Sequence, residues 1–357
     1  MDDAARAAWG SVVDLGGPVH YVDYGGPDGG GAAPGAAPGR EPDATRPPED
    51  RAPGDRPLTA RPPVDRAPSD GPDRPTVVLV HGLGGSHLNW DLLAPLLTPH
   101  ARVLALDLPG FGFSEPGERR ATVRANVAVL QRFLAEVAGG PVVLVGNSMG
   151  GMISILAAAG APGSVDGLVL VDPAVPGPRT RPDPLVAATF AVYALPGLGE
   201  RFMWWRRHRQ TPLGRALSLL RLCGVDPDTL PPEVIDRSVL MLEQRQDVVG
   251  MDKAFLTAAR SLLAVLAEKT RYYAAMGSLR VPVLLVQGDA DRLVPVEAAR
   301  DVARRHPHWR YVELAGVGHV PQLQVPQRLA EEILGWLPRP RGQARGRNVS
   351  RSASSPV

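Results

Sequence analysis

The stretch 141–159 constrains this chain most. The apolar run Pro141-Val142-Val143-Leu144-Val145 leads into Gly146-Asn147-Ser148-Met149-Gly150, and Met152-Ile153-Ser154-Ile155-Leu156-Ala157-Ala158-Ala159 follows. This order predicts a buried strand, a tight turn and a helix. In such a setting a Gly-x-Ser-x-Gly turn holds its serine in a strained conformation and lifts the hydroxyl above the sheet edge. Gly146 and Gly150 remove side chains where the strand and helix backbones must approach. The helix N-terminus adds positive potential where an oxyanion would form. Ser148 is therefore the first candidate nucleophile.

Three further segments fall in the order that serine chemistry needs. Pro75-Thr76-Val77-Val78-Leu79-Val80 reads as a buried strand ending in the flexible loop His81-Gly82-Leu83-Gly84-Gly85. That loop can turn a backbone N–H toward the serine, so Leu83 N–H and Met149 N–H are assigned to an oxyanion hole. Val281-Pro282-Val283-Leu284-Leu285-Val286-Gln287-Gly288 is another strand, with Asp291 in the loop at its C-terminal end. Arg310-Tyr311-Val312-Glu313-Leu314 leads into Gly316-Val317-Gly318-His319, a histidine on a glycine-flexed loop after the last strand. A serine hydroxyl is a weak nucleophile unless a base takes its proton, and an imidazole base needs a carboxylate to hold its tautomer. His319 is the candidate base and Asp291 the candidate orienting acid.

The chain order Ser148, Asp291, His319 is that of the α/β-hydrolases, and the chain resembles a member of that family carrying a cap domain. The resemblance covers roughly residues 10–26 and 75–338. It includes Asp107-Leu108-Pro109-Gly110-Phe111-Gly112-Phe113-Ser114, similar to the family's post-strand loop, and Gly16-Gly17-Pro18-Val19-His20-Tyr21-Val22-Asp23-Tyr24-Gly25, similar to its opening hairpin. It implies an α/β fold: a mostly parallel central sheet flanked by helices, with an inserted helical cap. It also implies a serine hydrolase that forms an acyl-enzyme and uses no metal or organic cofactor.

Other residues compete for these roles. Asp107 and Asp172 both end apolar runs, so either is a possible displaced acid. Asp291 is preferred because Gly288-x-x-Asp291 followed by Val294-Pro295 matches the family's acid loop. Asp289 reads as a loop or capping carboxylate. His81 is read chiefly as shaping the oxyanion loop and is kept as a possible substrate contact. His100, His208, His306 and His308 lack a glycine-bounded loop after a strand and read as surface or core histidines.

The Lys+Arg count of 39 against 37 Asp+Glu is too balanced for a nucleic-acid binder. Only Lys253 and Lys269 are lysines, and with 39 Gly and 38 Pro the arginine bias looks like that of a high-GC genome. Arginine-rich patches are therefore weak signals in this chain. The single cysteine, Cys223, cannot form an internal disulfide, which suits a reducing cytoplasm. The N-terminus shows no signal-peptide pattern, and no segment has the about eighteen uninterrupted apolar residues of a spanning helix. A small-molecule partner is expected, without nucleic acid or stable membrane insertion. The oligomeric state stays open.

The organisation expected is an opening hairpin within 1–26, core segments at 75–172 and 281–338, and a helical cap at 173–280. Residues 27–74 are dominated by Gly, Pro, Ala, Asp and Arg, so they cannot bury enough apolar surface to offset ordering entropy and are expected to be disordered. The same holds for the basic tail 339–357. In the cap, Phe255, Ala259, Leu262, Leu263 and Leu266 recur at helical spacing along 251–276. Met203-Trp204-Trp205-Arg206-Arg207-His208-Arg209 is its unusual stretch. Trp204 and Trp205 beside arginines form a candidate substrate-binding surface for an aromatic or anionic group, against the plainer reading of a packed helix.

A small apolar carboxylic ester is the default substrate that the resemblance implies. Gly146 to Gly151 also resembles the turn of meta-cleavage product hydrolases, which cleave a carbon–carbon bond. Those enzymes typically carry an aromatic residue after the histidine, where Val320 stands here, and their oxyanion loop differs. Epoxide hydrolases and haloalkane dehalogenases use an aspartate where this chain has Ser148. A binding protein that keeps the fold without turnover is the reading from another class, and an intact triad argues against it.

Overall fold

The computed structural model describes residues 9–25, 74–177 and 183–337. The segments 27–74 and 339–357, expected to be disordered, lie outside the described residues apart from Arg74. The strands are β1 (Ser11–Asp14), β2 (Pro18–Gly25), β3 (Thr76–Val80), β4 (Arg102–Leu106), β5 (Val142–Asn147), β6 (Val165–Val171), β7 (Val283–Gly288) and β8 (Arg310–Leu314). They form one eight-stranded sheet in the order β1-β2-β4-β3-β5-β6-β7-β8. β1 and β2 pair antiparallel, as do β2 and β4, and every later pairing is parallel.

Parallel strands covered on both faces read as continuous apolar runs, because neither face meets water. β3, β5 and β7 follow this rule, and their alternate residues divide between two cores. Val78, Val80, Leu144, Leu168, Leu170 and Leu285 point into one core, with α2 (Val123–Phe133) and α3 (Met149–Gly160) against them. Val77, Leu79, Val143, Val145, Val169 and Leu284 point into the other, under α1 (Ala94–Leu97) and α12 (Pro326–Trp336). The edge strands β1 and β8 are more exposed, in keeping with a single covered side.

Register aligns the C-terminal ends of the parallel strands. Val80 sits opposite Leu106 on one side and Gly146 on the other, Asn147 opposite Val171, Val171 opposite Val286, and Gly288 opposite Leu314. The loops carrying His81, Asp107, Ser148, Asp172, Asp291 and His319 therefore emerge at one sheet edge. In open α/β sheets ligands bind outside that edge.

Between β6 and β7 lie α4 (Pro184–Ala194), α5 (Leu198–Arg209), α6 (Pro212–Leu222), α7 (Pro232–Gln244), α8 (Met251–Ala267) and α9 (Lys269–Ser278). The apolar periodicity along 251–276 is carried by two helices, because the chain breaks at Glu268 with φ −79° and ψ 48°. The break lets α9 turn onto the sheet's own helical layer. Tyr272, Met276 and Leu279 join the core that contains Leu168 and Val283. The Tyr272 hydroxyl donates to the Ala174 carbonyl at 3.1 Å, fastening that layer to the end of β6. α10 (Val296–Arg305) covers the next stretch of the sheet with Ala298, Ala299 and Val302, and the short α11 (Pro321–Gln324) follows the His319 loop.

Candidate active site

Ser148 has φ 55° and ψ −119°, one of two positive φ values among described non-glycine residues. The surrounding packing over-determines this strain. A Cβ on Gly146 would lie 2.6 Å from the Gly150 carbonyl oxygen, and one on Gly150 would lie 2.1 Å from that of Val80, so only glycine fits either position. The turn is tied to its neighbours: Ser148 N–H donates to Val171 O at 3.1 Å, and Ala174 N–H donates to Ser148 O at 3.0 Å. Asn147 contributes a clamp, its Nδ2 donating to Val171 O at 3.1 Å and to His319 O at 3.0 Å. One side chain thus joins the serine turn to the histidine loop.

His319 Nδ1 lies 2.7 Å from Asp291 Oδ2, both residues being buried. A carboxylate can only accept, so Nδ1 carries the proton and Nε2 is left as the basic ring nitrogen. Asp291 also accepts from Leu293 N–H at 2.8 Å, Val294 N–H at 3.0 Å and Gln287 Nε2 at 3.1 Å. Four donors converge on it. His319 N–H in turn donates to Cys223 O at 2.9 Å, so the end of α6 helps to hold the histidine loop. The Cys223 thiol itself is pushed up to about 12 by burial, then by Asp291, and stays protonated.

Asp172 sits beside this pair, with ligand atoms of Asp172, Asp291 and His319 within 4.8 Å of one another. It accepts a hydrogen bond from Gly288 N–H at 2.7 Å, while Oδ2 is buried without a partner among the described residues. Burial, and then the charge of Asp291, hold its carboxyl well above the usual range. Hydrogen-bond supply separates the two acids: four donors converge on Asp291, whereas Asp172 has one and its burial favours the protonated form.

Asp107 takes a different part. It is fully buried and accepts from His20 Nδ1 at 2.9 Å, His87 N–H at 2.7 Å and Phe113 N–H at 2.9 Å, with His87 Nδ1 at 3.0 Å. A Cβ on Gly112 would fall 2.0 Å from its Cγ, so that loop wraps tightly around the carboxylate. Asp107 therefore pins β2, the loop after β3 and the loop after β4 together. Asp289 accepts Gly316 N–H at 2.7 Å and ties the loop after β7 to the loop after β8.

The loop after β3 passes directly over the serine, for a Cβ on Gly82 would come 3.0 Å from the Ser148 Cβ. Leu83 follows Gly82, and Met149 is the first residue of α3, whose N–H has no intrahelical acceptor. His81 is fully buried and both its ring nitrogens are engaged: Nδ1–H donates to Gly82 O at 2.7 Å, and Nε2 accepts Leu108 N–H at 3.0 Å. The ring is fixed as a neutral brace of the loop. Burial pushes its pKa down from 6.5 to about 4. Below pH 6.5 the unfolded chain takes up a proton that the folded ring refuses, so this contribution to stability is complete above pH 6.5 and is lost as pH falls toward 4. It amounts to at most ~3 kcal/mol. Melting temperature is expected to fall across that window, and His81→Gln to flatten the slope. An unchanged slope in the variant would assign the effect to other groups.

Ser148, His319, Gly82 and Leu83 open into a cavity of about 860 Å³ beneath the helices between β6 and β7. Apolar side chains enter it from α4 and α8, among them Phe190, Phe255, Leu262 and Leu266. Trp204 and Trp205 are not among the lining residues. They are 58% and 46% exposed, with Trp204 stacked on His208 and Trp205 on Phe202. His81 is likewise outside the lining. The arginines of the same stretch do reach it, as Arg206 and Arg207 line the cavity. Asn147, Gln287 and the Cys223 carbonyl were not singled out from the sequence. Asn147 lies within the serine turn and Gln287 four residues before Asp291, spacings that offered a signal, whereas the Cys223 contact offered none.

The sheet order, the serine turn and the buried His319–Asp291 pair define an α/β hydrolase. The family model for the alpha/beta hydrolase fold matches residues 75–326, and the chain belongs to that family. It is 30% identical over 261 residues to a pimeloyl-[acyl-carrier protein] methyl ester esterase of Aromatoleum aromaticum, covering 72% of this chain and 96% of that protein. It is 26% identical over 273 residues to the dihydrolipoyllysine-residue acetyltransferase component of an acetoin cleaving system from Pseudomonas putida, covering 73% of this chain and 63% of that protein. Among solved structures, Cfl2 from Burkholderia cenocepacia superimposes with a TM-score of 0.63 at 25% identity, over 75% of this chain and 90% of that one. The protein is an enzyme of the hydrolase class. No helix among the described residues is long and apolar enough to cross a membrane.

Proposed function

We propose that this protein hydrolyses small apolar carboxylic esters through an acyl-enzyme. The observation that carries the reading is the buried 2.7 Å hydrogen bond between His319 and Asp291, in a cavity shared with a serine held on a strained turn. Ser148 Oγ attacks the ester carbonyl carbon while His319 Nε2 takes its proton, and the carbonyl π electrons move onto oxygen. Backbone N–H groups of Leu83 and Met149 receive that oxyanion, a contribution of roughly 3–4 kcal/mol for such a donor in comparable sites. The tetrahedral species collapses, the bond to the alkoxy oxygen breaks, and His319 returns its proton to the departing alcohol. Water, deprotonated by His319, then attacks the acyl-serine and releases the acid and Ser148.

Asp291 keeps the imidazole in the tautomer that this exchange needs. The helices between β6 and β7 act as a cap that admits a small substrate and excludes bulk water. Similarity to the methyl ester esterase of Aromatoleum aromaticum supports an ester as the substrate class. A single buried cysteine suits a reducing compartment such as the cytoplasm.

A fluorophosphonate probe and a panel of p-nitrophenyl esters test the proposal. Stoichiometric labelling at Ser148 is expected, with ester turnover abolished by the label. Each added acyl methylene is expected to change specificity by about 1–3 kcal/mol, giving a graded preference. Efficient cleavage of a meta-cleavage dienoate with negligible esterase activity would replace this reading by the carbon–carbon hydrolase. Folded protein that neither labels nor turns over any ester would favour a binding protein.

A further inference from the structure

The cavity over Ser148 is apolar along α4 and α8 but lined with guanidinium groups where α5, α6 and the end of α7 meet it. Arg206, Arg207, Arg215 and Arg245 line it, with Asp252 of α8 as the carboxylate among them. Arg207 holds Asp252 at 3.0 Å, and Arg206 makes a 3.5 Å contact with the Tyr193 hydroxyl. The guanidiniums of Arg215 and Arg245 have no hydrogen bond or ion pair with any described residue, and Arg215 Nε is buried without a partner.

These cations stand close enough to oppose one another. Burial pushes Arg245 down to about 10, with Asp107 and Asp252 pulling it back up and Arg215 and Arg207 adding to the lowering. Arg215 is lowered by burial, then by Arg206 and Arg207. Both remain charged near neutrality. Both are partly buried, and withdrawing a guanidinium from water without a partner is unfavourable, a cost that a counter-charge at hydrogen-bond distance offsets. Two planar forks without an acceptor among the described residues, set in the wall of a substrate cavity, match the oxygens of a carboxylate or phosphate.

We propose that the substrate is amphipathic, with an anionic group, carboxylate or phosphate, docked on Arg215 and Arg245 and an apolar chain running to Ser148. This rests on the ester-hydrolase reading for the reacting end, while the anion site stands on the arginine geometry alone. Arg215 and Arg245 are specificity-determining residues in this scheme, and they take no part in bond cleavage.

The test compares a p-nitrophenyl ester bearing a free carboxylate, the hemisuberate, with the neutral octanoate. The ratio of kcat/KM is expected to favour the anionic ester by roughly 10- to 100-fold, the range of a charge-assisted contact. It is expected to fall toward one in the Arg215→Gln/Arg245→Gln double variant, mainly through KM, and to weaken at about 0.5 M salt. Arg245→Lys, which keeps the charge, is expected to keep an intermediate ratio in protein that still melts cooperatively. A wild-type ratio at or below one, with the neutral ester turned over, overturns the anion site and leaves the esterase intact.

If no ester is turned over, the esterase reading fails and binding decides the anion site. Ser148→Ala protein is titrated calorimetrically with suberate and with octyl phosphate. Saturable binding of either, lost on adding Arg245→Gln to protein that still melts cooperatively, supports the site and names the anion. Binding of neither, or binding that survives the arginine changes, overturns it.

Discussion

Ser148→Ala and His319→Ala are each expected to lower p-nitrophenyl ester turnover by roughly 10⁴- to 10⁶-fold, with the double variant scarcely worse than the poorer single one. The reason is mechanical coupling. A serine without its base is a poor nucleophile, and the base without the serine has no proton to take, so removing either abolishes one shared step. Steady-state kinetics of the three variants, with thermal melts to confirm folding, measures this. Losses that multiply would show that Ser148 and His319 act independently and would sink the joint assignment.

Asp291→Asn should reduce turnover by about 10⁴-fold while sparing the fold, because an amide can donate to Nδ1 and favour the wrong tautomer. Asp172→Asn is the matched control. It lies in the same buried group and keeps an oxygen for Gly288 N–H, yet it replaces an acid whose burial favours the neutral form. A raised carboxyl pKa means that stability from this group is full below about pH 3.8 and is lost as pH rises through the raised value. Asp172→Asn should therefore retain most turnover and be at least as stable near pH 8. If Asp172→Asn proves the more damaging change, the acid role belongs to Asp172.

The two acids show why part of this site was legible and part was not. Asp107, Asp172 and Asp291 each follow an apolar strand, and linear order alone could not rank them except by likeness to a family pattern. Their environments differ sharply in three dimensions. Asp107 is encircled by two histidines and backbone donors, Asp172 has one donor, and Asp291 has four including His319. The cavity lining was read less well. Trp204 and Trp205 drew attention by residue type but stand outward, while Arg215 and Arg245 were hidden in an arginine-rich composition.

By itself the sequence determined the class of fold and the order of its chemistry. Local rules suffice for that: apolar runs of strand length, glycines where no Cβ fits, and a serine between them are all features of a few neighbouring residues. Only the tertiary structure decided which groups meet. His319 and Asp291 are 28 positions apart, and Asn147 reaches the His319 carbonyl across 172 positions. The direction taken by each side chain there depends on how the six described α-helices between β6 and β7 pack, and neither helical periodicity nor composition specifies that packing.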